Sequence, residues 1–299
     1  SKLFRLLTTC AVTAATLALA ACGGGGGGGG SVAASGGIIG GTGFKGPVAN
    51  ATVTAYAVTG GSPGAQLGSA TTDATGKFSV SIGSYAGPVM LQLAGGSYTD
   101  EATGTAMNMA AGDVMTAVLP TVASGASVSG IMVTPLTSMA QTAAQHLSGG
   151  MTDANIASAH SAIGSYFMVN DILHTQPMNP LVPGSGSATT QDAINYGMSL
   201  AAMSEYAKGI GMPVSSAFVT AMMNDASDGM MNGKMGGNPI SMSMGGMMGP
   251  TMMQPNAGTS GMGAAMANFA ASAQNRSGIT ASMMQALINQ LNASTGQLF

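Results

Sequence analysis

Near residue 131 the apolar positions change rhythm, and the change divides the chain into two kinds of element. Before it they recur at about every second residue. In "GPVANATVTAYAV" (46–58), Val48, Ala51, Val53 and Ala55 fall in near alternation after a Gly-Pro turn. "LGSATTDATGKFSVSIG" (67–83) alternates strictly at Phe78, Val80 and Ile82, and "GPVMLQLAGG" (87–96) does so at Val89, Leu91 and Leu93. Period two puts one side chain in each pair on the same sheet face, so these stretches predict strands, with another over Met115–Leu119. Short strands broken by Gly, Pro and Asp predict a small antiparallel sandwich.

From about 131 the spacing is that of a helix. Thr134-Pro135 supplies an N-cap and a first-turn proline, and Leu136, Met139, Ala140, Ala143 and Leu147 follow on one face until Gly149-Gly150. Thr152 opens a second helix with Ile156, Ala159, Ile163 and Phe167 in register, and Thr190 a third that runs to Lys208. Further helices are expected over 214–226, 260–275 and 279–294, which together predict a helical bundle. The expected class is therefore α+β and multidomain: an N-terminal antiparallel β-sandwich followed by a C-terminal α-helical bundle.

The pair "GPVANATVTAY" and "TTDATGKFSV" resembles the carboxypeptidase regulatory-like, or prealbumin-like, β-sandwich. That resemblance implies a sandwich over 37–125 in which Asp73, Gly76 and Phe78 form a structural hairpin. It also implies a stalk, spacer or binding platform without a catalytic set. The part from 131 to 299 resembles the helical halves that follow such sandwiches in bacterial lipoproteins of unassigned activity.

The start of the chain agrees with that setting. Lys2 and Arg5 precede an uncharged apolar run, Leu6 to Ala21, the order of a secretory signal over 1–21. Leu19-Ala20-Ala21-Cys22 resembles a bacterial lipobox, which implies a covalent lipid on Cys22. Each buried methylene contributes about 0.8 kcal/mol, so several acyl chains anchor durably where one does not. Gly23–Gly30 then offers maximal backbone freedom, and 22–36 is expected to be a tether. Gly23 behind the cysteine resembles the sorting pattern of outer-membrane lipoproteins.

Charge narrows the function classes. The chain has 7 Lys+Arg against 10 Asp+Glu, a net charge of −3, and 6% charged residues. That is no footprint for nucleic acid. Both cysteines, Cys10 and Cys22, lie in the leader or at the lipid site, so no internal disulfide is expected. The expectation is a membrane-anchored, non-enzymatic binding or structural module with an envelope protein or polysaccharide as partner. A hydrolase whose catalytic set is dispersed along the sequence is the rival enzyme class.

One segment changes the picture. Of the 27 methionines, 13 fall between Met222 and Met266, most within the Met/Gly-rich stretch 229–257. Thioethers are soft ligands that suit Cu(I), and Met242, Met244, Met247 and Met248 are the candidate shell. The alternative is that methionine, unbranched and adaptable, fills apolar gaps or meets a partner, with no cofactor at all. The glycines predict a mobile loop, its sulfurs out of step with any strand period. "NDASDGMMNGK" (224–234) has Asp228 and Asn232 at calcium-loop positions, but Ala226 and Met235 stand where oxygen ligands belong, so a helix-ending turn is expected. His146, His160 and His174 lie fourteen residues apart, without zinc-helix spacing.

Overall fold

Where small aliphatic residues alternate with polar ones, the chain forms strands. The computed structural model describes residues 36–299. Strands come first: Gly37–Gly43 (β1), Thr52–Thr59 (β2), Ser62–Thr71 (β3), Lys77–Gly83 (β4), Gly87–Ala94 (β5), Ser97–Thr99 (β6), Ala106–Asn108 (β7), Val114–Val122 (β8) and Ser127–Val133 (β9). They are followed by helices Pro135–His146 (α1), Asp153–Tyr166 (α2), Gln191–Gly209 (α3) and Ser216–Ala226 (α4). Two short hairpins intervene, Lys234–Met235 (β10) with Asn238–Pro239 (β11) and Ser241–Met242 (β12) with Thr251–Met252 (β13). Ser260–Ala270 (α5) and Gln285–Ala293 (α6) close the chain. The protein is thus mixed α+β.

Two sheets share one core. β4, β1 and β9 form the first in that order, with β1 and β9 parallel, and β3, β2, β5 and β8 form an antiparallel second. Ile39, Val53, Val80, Leu91, Leu93 and Ile131 meet between them with essentially no exposure. Each such side chain contributes about 1.5–3 kcal/mol when fully buried. Alternation then explains the next layer. In β5, Val89, Leu91 and Leu93 enter the intersheet core, while Met90 joins Val118, Leu136, Met139 and Ala140 in a second cluster built by the helices. The far face of the second sheet is therefore covered by helix.

Local chemistry fixes where the helices begin. Thr134 and Thr137 form a reciprocal capping box, Thr137 N–H donating to Thr134 Oγ1 at 3.2 Å and Thr134 N–H to Thr137 Oγ1 at 2.8 Å. Thr152 and Thr190 cap α2 and α3 with the hydroxyl alone, which accepts Asn155 N–H and Ala193 N–H. Buried hydroxyls dock α1 on β8: Thr137 Oγ1 donates to the Thr116 carbonyl at 2.8 Å, and Thr116 N–H donates to Ser138 Oγ at 2.7 Å.

Two expectations are corrected. The helical periodicity assigned from 131 begins only after β9, a strand that runs to Val133 beside β1. Gly130, at φ +73°, breaks its alternation and hides it. The Met/Gly-rich stretch is also not without a strand period. Ile240, Met242 and Met244 are buried while Ser241 and Ser243 are exposed, and Met253 N–H donates to the Ile240 carbonyl at 2.8 Å.

Candidate functional site

An open space with convergent polar groups lies where α2 ends and α3 begins. Gly164 allows this geometry, since a Cβ there would run into the Val169 carbonyl. The chain turns out of α2 with Met168 at φ +54°, and Val169 N–H closes back on the Gly164 carbonyl at 2.8 Å. That is a left-handed helix end with methionine where glycine is usual. The resulting cleft has a volume of about 680 Å³ and is lined by His160, Ser161 and Ser165 of α2, Asn170 and Asp171 of the turn, and Gln191, Asp192 and Asn195 of α3.

Most of these groups hold one another in place. Asn195 Nδ2 donates to the Met168 carbonyl at 2.8 Å, and Gln191 Nε2 donates to Asn195 Oδ1 at 2.8 Å. Asp192 receives Asn170 N–H at 2.9 Å. Asp171 receives the N–H groups of Leu173 and His174, each at 3.1 Å, and sits 2.9 Å from His174 Nδ1. His160 differs. Its Nε2 is buried and has no hydrogen-bond partner. Burial pushes its pKa down to about 4 against the opposing pull of Asp171, so the ring is neutral at pH 7. Among the described residues no hydrogen bond joins a histidine to a hydroxyl or thiol nucleophile. The cleft is therefore equipped to accept and donate hydrogen bonds, and Asp171 of its lining forms an exposed pair with His174.

The residues singled out in the sequence have separate fates. Asp73 Oδ1 receives Thr75 N–H at 2.8 Å, Lys77 N–H at 3.0 Å and the Thr75 hydroxyl at 2.7 Å, Gly76 takes φ +80°, and Phe78 enters the core. Those bonds, the Thr75 hydroxyl first, hold the Asp73 carboxyl below its usual range. Met242 and Met244 point into the helical core, whereas Met247 and Met248 are exposed at the β12–β13 turn, so the four are not gathered into one shell. Asp228 receives Met230 and Gly236 N–H, and Asn232 Oδ1 receives Lys234 N–H, so these oxygens order a turn. Among the described residues no cluster of three or more His, Cys, Asp or Glu side chains could hold a metal. Cys22 and the leader lie outside the described residues, and no described helix is long and apolar enough to cross a membrane.

Sequence reasoning missed a second polar centre. Lys45, Asp100 and Glu101 are each 1% exposed. Lys45 Nζ lies 3.2 Å from Glu101 Oε2 and 4.0 Å from Asp100 Oδ2, contacts Ser204 Oγ, and sits 5.0 Å from the centre of the Tyr98 ring. Ser204 Oγ donates to Glu101 at 2.6 Å and Ser215 Oγ donates to Asp100 Oδ2 at 2.6 Å. Burial lowers the Lys45 pKa, but Glu101, Tyr98 and Asp100 together outweigh it and leave the amine above its ordinary value. Asp100 is held below its usual range: burial opposes this, and Lys45 with the hydrogen bonds from Ser215 and Thr103 overcomes burial. The only signal in the sequence was that one of so few cations follows Phe44 in an apolar context.

No family model matches the chain, and no curated protein matches it. Among solved structures, a 9R-lipoxygenase from Cyanothece PCC8801 aligns with 11% sequence identity and a TM-score of 0.23, over 63% of this chain and 24% of the lipoxygenase. The aligned region spans about a quarter of that enzyme's length, and so loose an overlap carries no functional argument.

Proposed function

We propose that the protein is a lipid-anchored lipoprotein of the cell envelope, held at the outer membrane through Cys22, that works as a non-enzymatic binding module. In this reading a prealbumin-like sandwich stands nearest the tether, and a helical bundle carries the ligand cleft. The observation that supports it best is the makeup of the cleft: amides, hydroxyls and carboxylates around about 680 Å³. Such a lining suits a polyhydroxylated ligand, whose hydroxyls donate to Asp171 and Asp192 and accept from amides such as Gln191. Neutral His160 belongs to the same lining, with its unpaired ring nitrogen buried. An envelope polysaccharide is the partner class these groups favour. Cu(I) handling is the weaker reading, because burial separates Met242 and Met244 from Met247 and Met248.

Calorimetric titration with soluble peptidoglycan fragments and with lipopolysaccharide core oligosaccharide tests the binding claim. The wild type should bind at least one of them, and His160→Leu should weaken binding about tenfold, equivalent to about 1.4 kcal/mol. Flat titrations with both would sink it. Mass spectrometry of the membrane form tests the anchor, which requires acyl chains on an N-terminal Cys22.

A further inference from the structure

The two sheets of the sandwich meet closely at one edge and leave a gap at the other. β3 and β4 approach so tightly that a Cβ on Gly68 would run into the Ser81 carbonyl. At the opposite edge, between β8 and β9, lies a slot of about 210 Å³. Leu119 and Val122 of β8, Val128 and Ile131 of β9, and Ala126 of the turn between them give it apolar walls. At ~30 Å³ for a water-sized group it has room for about seven such groups, the bulk of a short alkyl chain. The segment that shapes the cleft also walls this slot. Asp171 and Ile172 line the cleft, whereas Leu173 and His174 line the slot. Tyr196 Oη donates to the Ile172 carbonyl at 2.7 Å, and Met132 N–H of β9 donates to the Leu173 carbonyl at 2.8 Å. Ile172 packs in the helical core and Leu173 in the intersheet core, so the segment is the seam between the two.

One exposed side-chain pair spans from cavity to cavity: His174 Nδ1, from the slot, lies 2.9 Å from Asp171 Oδ2, from the cleft. A polar cleft and an apolar slot that share this pair suit the two ends of one amphiphile. No lysine or arginine lines either cavity, so neither offers a counter-charge to a phosphate or a carboxylate. The head group that fits is therefore neutral. We propose that the slot takes the alkyl chain of a neutral glycolipid whose sugar head occupies the α2–α3 cleft, with head and chain joined beside Asp171 and His174. The proposal rests on the cleft being the saccharide site, and it adds what the saccharide is attached to. Burial of the chain supplies affinity, and the cleft selects the head.

NMR titration of the methyl-labelled full chain tests this with octyl glucoside, kept below its micelle concentration, against methyl glucoside. Octyl glucoside should shift the methyl signals of Leu119, Val122 and Ile131 together with the His160 ring, and bind about a hundredfold tighter than methyl glucoside. Methyl glucoside should shift His160 alone. Octyl phosphate, with the same chain and an anionic head, should bind about tenfold more weakly than octyl glucoside. Ala126→Phe fills the slot and should remove most of the advantage of the octyl chain while leaving methyl glucoside unchanged. Should that variant fail to fold, the wild-type titrations still decide. Equal affinity for the two glucosides, slot methyls that octyl glucoside leaves unmoved, or octyl phosphate that binds as well would each overturn the proposal. If peptidoglycan fragments or core oligosaccharide still shift His160 in that case, the cleft remains a saccharide site. If no saccharide shifts His160, both readings fall.

Discussion

The Lys45 centre and the α2–α3 cleft are both polar regions in an apolar protein, and they are organised in opposite ways. Around Lys45 every charge meets its counter-charge inside the protein, and Tyr98, Ser204 and Ser215 close the remaining positions. In the cleft the side chains are braced by one another at the edges but leave open space in front, and a buried nitrogen of His160 has nothing to bond. The difference shows that polarity alone does not mark a binding site. Where water is excluded and all partners are internal, polar groups act on the protein itself. Where the wall is held and the space is open, they are available to a ligand.

The comparison is broken most severely by removing the cation. Lys45→Met leaves two buried carboxylates unpaired, and urea unfolding should show a loss of about 3–5 kcal/mol. A loss below about 1 kcal/mol would mean that the centre is open to water. Next comes the methionine segment, whose two halves should respond differently. Met242→Ala opens the helical core and should cost about 2–5 kcal/mol. Met247→Ala, at an exposed turn, should stay within about 0.5 kcal/mol. Equal effects would contradict the burial pattern.

A third test sets the cleft against another buried acid. Asp225 receives Asn232 and Gly233 N–H at 2.9 and 2.7 Å, yet its second oxygen is unpaired, and burial raises its pKa to about 6. An acid with a raised folded pKa stabilises the protein more as pH falls from 6 towards 4, here by an amount on the order of 3 kcal/mol. His160, a base with a folded pKa near 4, has the opposite sign: its stability is present above the unfolded value of 6.5 and is lost as pH falls through 4. The two slopes offset one another between pH 4 and 6. Asp225→Asn should expose the loss due to His160, and His160→Gln should expose the gain due to Asp225, in denaturation curves taken across that range. Unchanged profiles in both variants would remove either group from the account. A smaller effect belongs to Met168→Gly. It relieves the left-handed backbone at the cleft and should stabilise by about 0.5–1 kcal/mol, read as a higher Tm.

Much of the fold was legible because its signals are local. Thr134, Thr152 and Thr190 each stand at the observed helix start, since a cap needs only a hydroxyl and the next three residues. β4 declares itself through Phe78, Val80 and Ile82. β9 did not, because Gly130 interrupts its period and only its last three residues are buried. The burial of Ile240, Met242 and Met244 was masked by glycines on either side. Of the Lys45 centre, only the cation behind Phe44 was visible. Its members come from 45, 98–101, 204 and 215, brought together by the packing of a strand turn on two helices. The cleft was half legible. His160 stood out as one of three histidines, but no spacing rule links it to Asp171, Gln191, Asp192 and Asn195.

The central claim is that the cleft, and not the buried centre, is the surface offered to a ligand. Its most direct test is an NMR titration of the His160 ring in the full chain, free and with peptidoglycan fragments or core oligosaccharide added. The account predicts a ring that titrates near pH 4 when free. It also predicts that a bound saccharide shifts the His160 signals while those around Lys45 stay in place. A ring that titrates near 6.5, or a saccharide response at Lys45 with none at His160, would contradict it.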